Sequence, residues 1–152
     1  MTAGGPDLLA VPTPEQRAAA RRRLTLAEKG RLAREIVATY VRARIWLRRY
    51  ALEDVVGRLR EDAELEPGSG MHLLQAARLG RIVRRTLGIL PADSRCLVQS
   101  LVLTSLLARR GIHTTLVIGV KPEPRFEAHA WVELAGYPLL PVGGEYGRLL
   151  EV

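Results

Sequence analysis

The sequence predicts an α+β domain in which several helices come first and a small antiparallel sheet follows. Apolar residues recur at three- and four-residue steps up to about residue 110, which is the spacing of amphipathic helices. From residue 114 onward β-branched residues and strict alternation become common, as in strands. The chain has 152 residues, of which 47% are hydrophobic and 26% charged. This composition fits one globular domain with its own core.

The N-terminal region is predicted to be helical after a short tail. Residues 1–14 contain two adjacent glycines and three prolines, which favour a flexible tail. A helical region extends over residues 15–66 and includes a helix at residues 52–60. Its clearest apolar stripe contains Leu32, Ala33, Ile36, Val37, Tyr40 and Val41. The acidic residues 61–66 and the Pro-Gly-Ser-Gly segment after them are expected to form a loop.

Two more helices are predicted before the sheet. Residues 71–87 are amphipathic, and the glycine and proline that follow them mark a helix end. Asp93 or Ser94 is suited to cap the next helix, at residues 95–110, because a short polar side chain can accept a backbone N–H there. Gly111 is expected to end that helix.

The sheet is predicted from three short segments. Residues 114–120 are β-branched and apolar, and residues 128–134 alternate between apolar and polar side chains. Ala135-Gly136 is a candidate tight turn, so residues 137–142 are expected to return as the third strand.

The net charge of +7 favours binding to acidic partners, but it does not identify a particular partner. Arginines cluster at residues 21–23 and 42–49, as in many nucleic-acid-binding surfaces. Acidic residues are interspersed, however, and aromatic residues make up only 5% of the chain, which is few for base stacking. We therefore expect a solvated helix face and no nucleic-acid partner, and part of this surface is suited to an acidic leader peptide or partner protein.

The sequence also limits compartment and cofactors. No apolar run approaches the roughly 20 residues that a membrane-spanning helix needs, and the N-terminus lacks the pattern of a secretory signal. Cytoplasmic location is therefore expected. A single cysteine allows no internal disulfide. His72 and His113 have no second ligand at metal-binding spacing, so neither a metal nor another cofactor is expected.

Cys96 is the first candidate for chemistry, because it lies in the first turn of a predicted helix. Unpaired backbone N–H groups and the positive end of the helix dipole stabilise a thiolate at such a position. The same N–H groups are suited to receive an oxyanion. The alternative is a small core cysteine facing Leu103 and Leu107, which free cysteines often are.

His129 is the second candidate and lies on the second predicted strand. His129, Trp131 and Glu133 share one face of that strand, because side chains alternate. A histidine on a sheet beside a helix that begins with cysteine has the arrangement of a thiolate–imidazolium pair. The alternative is a surface or core histidine. Trp131 is expected as core or pocket wall beside His129, and Gly119 as a close approach of another chain segment or a bulge.

These residues carry a resemblance to a known family. The sequence has CLVQSLVL at residues 96–103, LLARRGI at residues 106–112, VIGV at residues 117–120 and FEAHAWVE at residues 126–133. Taken together, these segments resemble the transglutaminase-like, or papain-like, leader peptidases of lasso-peptide biosynthesis. The resemblance is close over residues 71–140 and looser over the helical region before them.

The resemblance implies a fold and an activity. It implies N-terminal helices followed by a transglutaminase-like catalytic core at residues 71–152, with the cysteine-bearing helix packed on a small antiparallel sheet. Such proteins cut the leader from a ribosomally made precursor peptide, so that a separate ATP-dependent cyclase can close a macrolactam. By this resemblance Cys96 attacks the scissile carbonyl and His129 activates the thiol.

The third catalytic residue departs from the family pattern. The family usually has an Asp about a dozen residues after the His, and Pro141 occupies that neighbourhood here. Glu145 is a possible substitute, and a Cys–His pair without any carboxylate is equally compatible. Glu133 shares the face of His129 but belongs to the same strand. Because the residues before 15 are too few for a leader-recognition domain, a stand-alone form that relies on a separate recognition protein is expected.

Two other functions are compatible with the same residues. An acyl transferase or transglutaminase would use the same Cys–His pair with an amine as acceptor instead of water. A catalytically weak protein-binding module would keep the fold without needing Cys96.

Overall fold

The computed structural model describes residues 14–61, 73–89, 95–122, 124–140 and 142–152. Within these ranges the chain forms five helices and one four-stranded sheet. The helices are α1 (Pro14–Arg21), α2 (Leu26–Leu47), α3 (Leu52–Glu61), α4 (Leu73–Leu87) and α5 (Arg95–Ala108). The strands are β1 (Thr115–Lys121), β2 (Glu127–Leu134), β3 (Tyr137–Pro138) and β4 (Gly147–Glu151). The predicted α+β class is confirmed.

A capping box starts α2. The Thr25 side chain accepts the backbone N–H of Glu28 at 3.2 Å, and the Glu28 carboxylate accepts the backbone N–H of Thr25 at 2.8 Å. The Thr25 backbone N–H, then Arg22, lower the pKa of Glu28 from 4.5 to about 2. The box satisfies two N–H groups that the start of a helix would otherwise leave unpaired.

Removing this cap is expected to destabilise the protein modestly. Thr25→Ala should lower the free energy of unfolding by about 1 kcal/mol, measured by urea denaturation at neutral pH. Because the pKa of Glu28 is lowered on folding, its contribution is present above the unfolded value of 4.5 and is lost as the pH falls toward about 2. The stability difference between the wild type and Glu28→Gln, which removes the carboxylate charge, should therefore shrink over that pH range. A constant difference would contradict the role of the Glu28 carboxylate.

The buried face of α2 differs from the predicted stripe. Ile36, Thr39 and Ala43 are the buried positions, whereas the side chains of Val37 and Val41 are 44% and 48% exposed. The prediction of those two valines as part of the buried stripe is therefore wrong. With 3.6 residues per turn, Val37 lies about 100° and Val41 about 140° around the helix from Ile36, so both point away from the side that Ile36 buries.

The core is built around α5. Leu101, Leu103, Leu106 and Leu107 on this helix are fully buried. They form one hydrophobic cluster with residues of α2, α3, α4, β1 and β2. The helical region and the predicted catalytic core therefore share one core. The predicted boundary at residues 67–70 and the predicted caps Asp93 and Ser94 lie outside the described residues.

Gly111 ends α5, as predicted. Its φ of 72° lies in the left-handed region that glycine adopts without strain. The Gly111 N–H donates to the Ala108 carbonyl at 2.9 Å, and the Ile112 N–H donates to the Leu107 carbonyl at 3.0 Å. This is the Schellman pattern of a glycine-terminated helix.

The sheet is antiparallel, with strand order β3-β2-β1-β4. The first two strands match their predicted limits to within one residue at each end. The predicted turn is also confirmed, since Ala135 and Gly136 both have positive φ, of 51° and 81°. In the register of β1 and β2, Gly119 lies opposite His129.

The third predicted strand is mostly wrong, and the fourth strand was not predicted. Of residues 137–142, Tyr137 and Pro138 pair with β2. Pro138 has no backbone N–H to donate to a neighbouring strand. The Leu139 N–H still donates to the Val132 carbonyl at 2.8 Å, but β3 ends at Pro138, and Leu139 and Leu140 are buried. β4 instead covers the free edge of β1. Among the described residues, no helix combines the length and apolar character that crossing a membrane requires.

Candidate active site

Helix α5 carries Cys96 to the sheet. Cys96 is the second residue of α5 and is partly buried. One turn later, the buried Ser100 hydroxyl donates to the Ala130 carbonyl at 3.1 Å. Residues four apart lie on one helix face, so Cys96 is about 6 Å from Ser100 along the axis. The bond therefore anchors the Cys96 end of α5 beside the part of β2 that carries His129.

His129 packs against two aromatic rings that also contact each other, which we call the aromatic cradle (Trp131 and Tyr146). The rings of His129 and Trp131 stack with centroids 6.0 Å apart and 19° between their planes. The Tyr146 ring packs 5.4 Å from His129 and 6.3 Å from Trp131. Trp131 is buried, as expected for a residue of the core or pocket wall. The cradle limits the orientations that the imidazole can adopt.

Gly119 provides the space for the cradle. A β-carbon at this position would lie 2.7 Å from the Tyr146 β-carbon and 2.8 Å from the Trp131 ring. Neither atom is the end of a flexible side chain, so any larger residue must displace the cradle. The pairing of β1 with β4 also shifts register between Ile118 and Gly119. The close approach predicted at Gly119 is confirmed, and the register shift lies beside it, with the skipped residue, Leu149, on β4.

A partly buried ion pair holds the Trp131 indole. The Trp131 indole N–H donates to Glu133 at 2.7 Å, and the Arg148 guanidinium donates to both Glu133 oxygens at 2.8 and 3.0 Å. Hydrogen bonds to Glu151 and then to Glu133 raise the pKa of Arg148 above its ordinary value. Glu133 does share the face of His129, but its carboxylate is engaged by Trp131 and Arg148.

Tyr146 packs on the imidazole, and its hydroxyl has a carboxylate partner. Its hydroxyl donates to the Glu127 carboxylate at 3.3 Å. Partial burial raises the pKa of Tyr146 first, followed by the charge and hydrogen bond of Glu127 and then by Coulombic interaction with Cys96. The sulfur of Cys96 therefore lies within electrostatic range of a ring that packs on His129.

The predicted third member, Glu145, is exposed beside Tyr146. Its role in orienting His129 stays a prediction. Tyr146 itself was missed by the sequence reasoning, as was Arg148. The only local signal was an aromatic residue within a glycine-rich stretch, and its meaning depends on β4 pairing with β1, which the residue pattern did not predict.

The fold and the site define a protein of the transglutaminase type, in which a cysteine-bearing helix packs on an antiparallel sheet. The chain belongs to the transglutaminase-like superfamily, whose family model matches residues 36–149. That match extends from the middle of α2 to β4 and includes both Cys96 and His129. Comparison with curated proteins finds no match, and comparison with solved structures finds none either.

Proposed function

We propose that this protein is a cysteine peptidase that removes the leader from a lasso-peptide precursor, with Cys96 as nucleophile and His129 as base. The observation that supports this proposal is the Ser100–Ala130 hydrogen bond, which holds the Cys96 end of α5 against the residue that follows His129 on β2. Membership of a superfamily composed generally of cysteine-based enzymes supports it further.

In the first half of the reaction, His129 takes the proton of the Cys96 thiol. The sulfur then bonds to the scissile carbonyl carbon, and the carbonyl oxygen becomes an oxyanion. Backbone N–H groups at the start of α5 are suited to stabilise that oxyanion. When the intermediate collapses, the C–N bond breaks and the leaving amine takes the proton from His129.

In the second half, water cleaves the acyl-enzyme. His129 takes a proton from the water as its oxygen bonds to the acyl carbon. The C–S bond then breaks, the leader leaves as a carboxylic acid, and the proton returns to the sulfur. Each cycle consumes one water molecule and regenerates the Cys96 thiol.

We assign to the aromatic cradle the role of orienting the His129 imidazole, and Glu145 is the alternative. An imidazole packed against both Trp131 and Tyr146 loses rotational freedom whether or not a carboxylate also contacts it. A thiolate also needs less assistance from a third residue than a serine hydroxyl does.

The choice of substrate depends on the family resemblance of residues 71–140. On that basis the substrate is a precursor peptide, a separate leader-recognition protein presents it, and an ATP-dependent cyclase uses the amine that cleavage releases. The cytoplasmic location predicted from the sequence is compatible with these partners.

Acyl transfer is the second candidate function, and the superfamily match supports it as much as hydrolysis. Both reactions share the acyl-enzyme and differ only in the acceptor. The mass of the product separates them, because hydrolysis adds water and transfer adds an amine. A catalytically weak binding module would form no acyl-enzyme at all.

The reactivity of the Cys96 thiol tests the proposed pair. We expect wild-type Cys96 to be alkylated at half its maximal rate well below about pH 8.5, where an ordinary thiol ionises. His129→Ala should move this midpoint toward the ordinary value, because the imidazolium no longer stabilises the thiolate. The measurement is intact mass after timed alkylation across a pH series.

His113→Ala is the matched control, since His113 is exposed just before β1. It removes the same side chain and should leave the reactivity profile unchanged. An unreactive Cys96, or identical profiles for His129→Ala and wild type, would contradict the proposed pair.

A further inference from the structure

A second site lies on the helical side of the molecule. A groove of about 710 Å³ is formed by the α1–α2 junction, the first turns of α2 and one face of α4. The Arg78 guanidinium donates to the Arg22 carbonyl and so ties α4 to the junction. Six cationic side chains line this groove, namely Arg21, Arg23, Lys29, Arg78, Arg81 and Arg85.

The floor of the groove is aliphatic. Leu24, Leu32 and Ile82 line it, and all three are partly buried. A neighbouring groove of about 340 Å³ shares these three residues and Arg78, so the apolar floor continues beyond the first groove. The site therefore combines a cationic rim with room for apolar side chains.

The part of the groove lining that the structure describes is strongly cationic. The described residues that line it include no carboxylate. The nearest acidic group in sequence, Glu28, is engaged by Arg22 and by the backbone of Thr25. Cations so close together repel one another, and an anionic ligand relieves that repulsion.

We propose that this groove binds an acidic peptide segment that carries aliphatic side chains. Carboxylates of the peptide pair with the arginine rim, and its aliphatic side chains cover Leu24, Leu32 and Ile82. The described lining contains no aromatic ring on which a nucleotide base would stack, which favours a peptide over a single-stranded nucleic acid. This site goes beyond the proposed cleavage and does not depend on it.

Binding of a labelled peptide to the full chain tests the proposal independently of Cys96. The probe is a fluorescein-labelled peptide of repeated Glu-Glu-Leu units, followed by fluorescence anisotropy. The double variant Arg81→Ala/Arg85→Ala should weaken binding at least about fivefold, because two exposed rim charges are lost. Raising the ionic strength should also weaken binding.

The matched control is Arg31→Ala/Arg34→Ala, which removes the same charge from exposed positions of α2 outside the groove lining. It should bind the probe nearly as well as the wild type does. Equal weakening by both double variants would overturn the proposal, because binding would then depend only on net charge.

Changes in the probe test the two parts of the groove separately. A Glu-Glu-Ser peptide should bind several-fold more weakly if the aliphatic floor takes part, and equal binding of the two peptides would overturn that role. Tighter binding of an oligouridylate of the same charge would overturn the choice of a peptide. The proposal would also be overturned if the probe bound only after the acidic residues within 61–66 had been replaced by neutral ones. That result would mean that this segment of the chain itself occupies the groove.

Discussion

Replacement of Cys96 by alanine is expected to slow leader cleavage by a factor of about a thousand or more. The covalent route requires the sulfur, and alanine leaves only the binding and oxyanion contributions. The measurement is the rate of product formation from a leader-bearing precursor peptide, followed by mass, with the leader-recognition protein present.

The stability of this variant separates chemistry from folding. Cys96 is only partly buried and lies outside the hydrophobic cluster around α5, so Cys96→Ala should unfold at nearly the wild-type temperature. His129→Ala should be similarly inactive. The double variant should be scarcely worse than either single one, because residues that act as one unit are not additive. Cleavage that survives Cys96→Ala would instead favour the binding-module hypothesis.

Gly119→Ala is expected to have the second-largest effect, although it adds a single methyl group. The new β-carbon meets Tyr146 and Trp131 at 2.7–2.9 Å, and the bulged pairing of β1 with β4 leaves little room for adjustment. Overpacking of this kind costs about 1–3 kcal/mol. The displaced cradle should also release His129, so the alkylation midpoint of Cys96 should rise.

Gly57→Ala provides the matched control for this substitution. Gly57 lies within α3, and no atom lies within 4 Å of the position that its β-carbon would occupy. Alanine there should be neutral or stabilising, since it is the better helix former. Urea denaturation and the alkylation profile of both variants measure the two effects. Equal stability and reactivity of Gly119→Ala and wild type would show that the cradle does not hold His129.

The helices and the first hairpin were predictable because their signals are local. Helical spacing marked α3, and Gly111 marked the end of α5. Alternating side chains predicted β2, and the residue types of Ala135 and Gly136 predicted the turn after it. The same local information misassigned Val37, because a periodic apolar pattern does not say which face the neighbouring helices will cover.

The site was only partly predictable for a related reason. Two short motifs, around Cys96 and His129, carried the resemblance. The family model that matches residues 36–149 supports it at the level of the superfamily. The residues that surround His129 in the structure come from other parts of the chain. Tyr146 reaches His129 because β4 pairs with β1, and Arg148 reaches Glu133 through the same pairing.

The sequence by itself determined the α+β class, most helix limits and the two residues of the proposed pair. These depend on periodicity, turn chemistry and short motifs, which act between residues close in the chain. Only the tertiary structure decided which residues surround His129, what Glu133 binds and where the cationic groove forms. Those contacts join segments far apart in the chain, and their free energy depends on packing that no local pattern records.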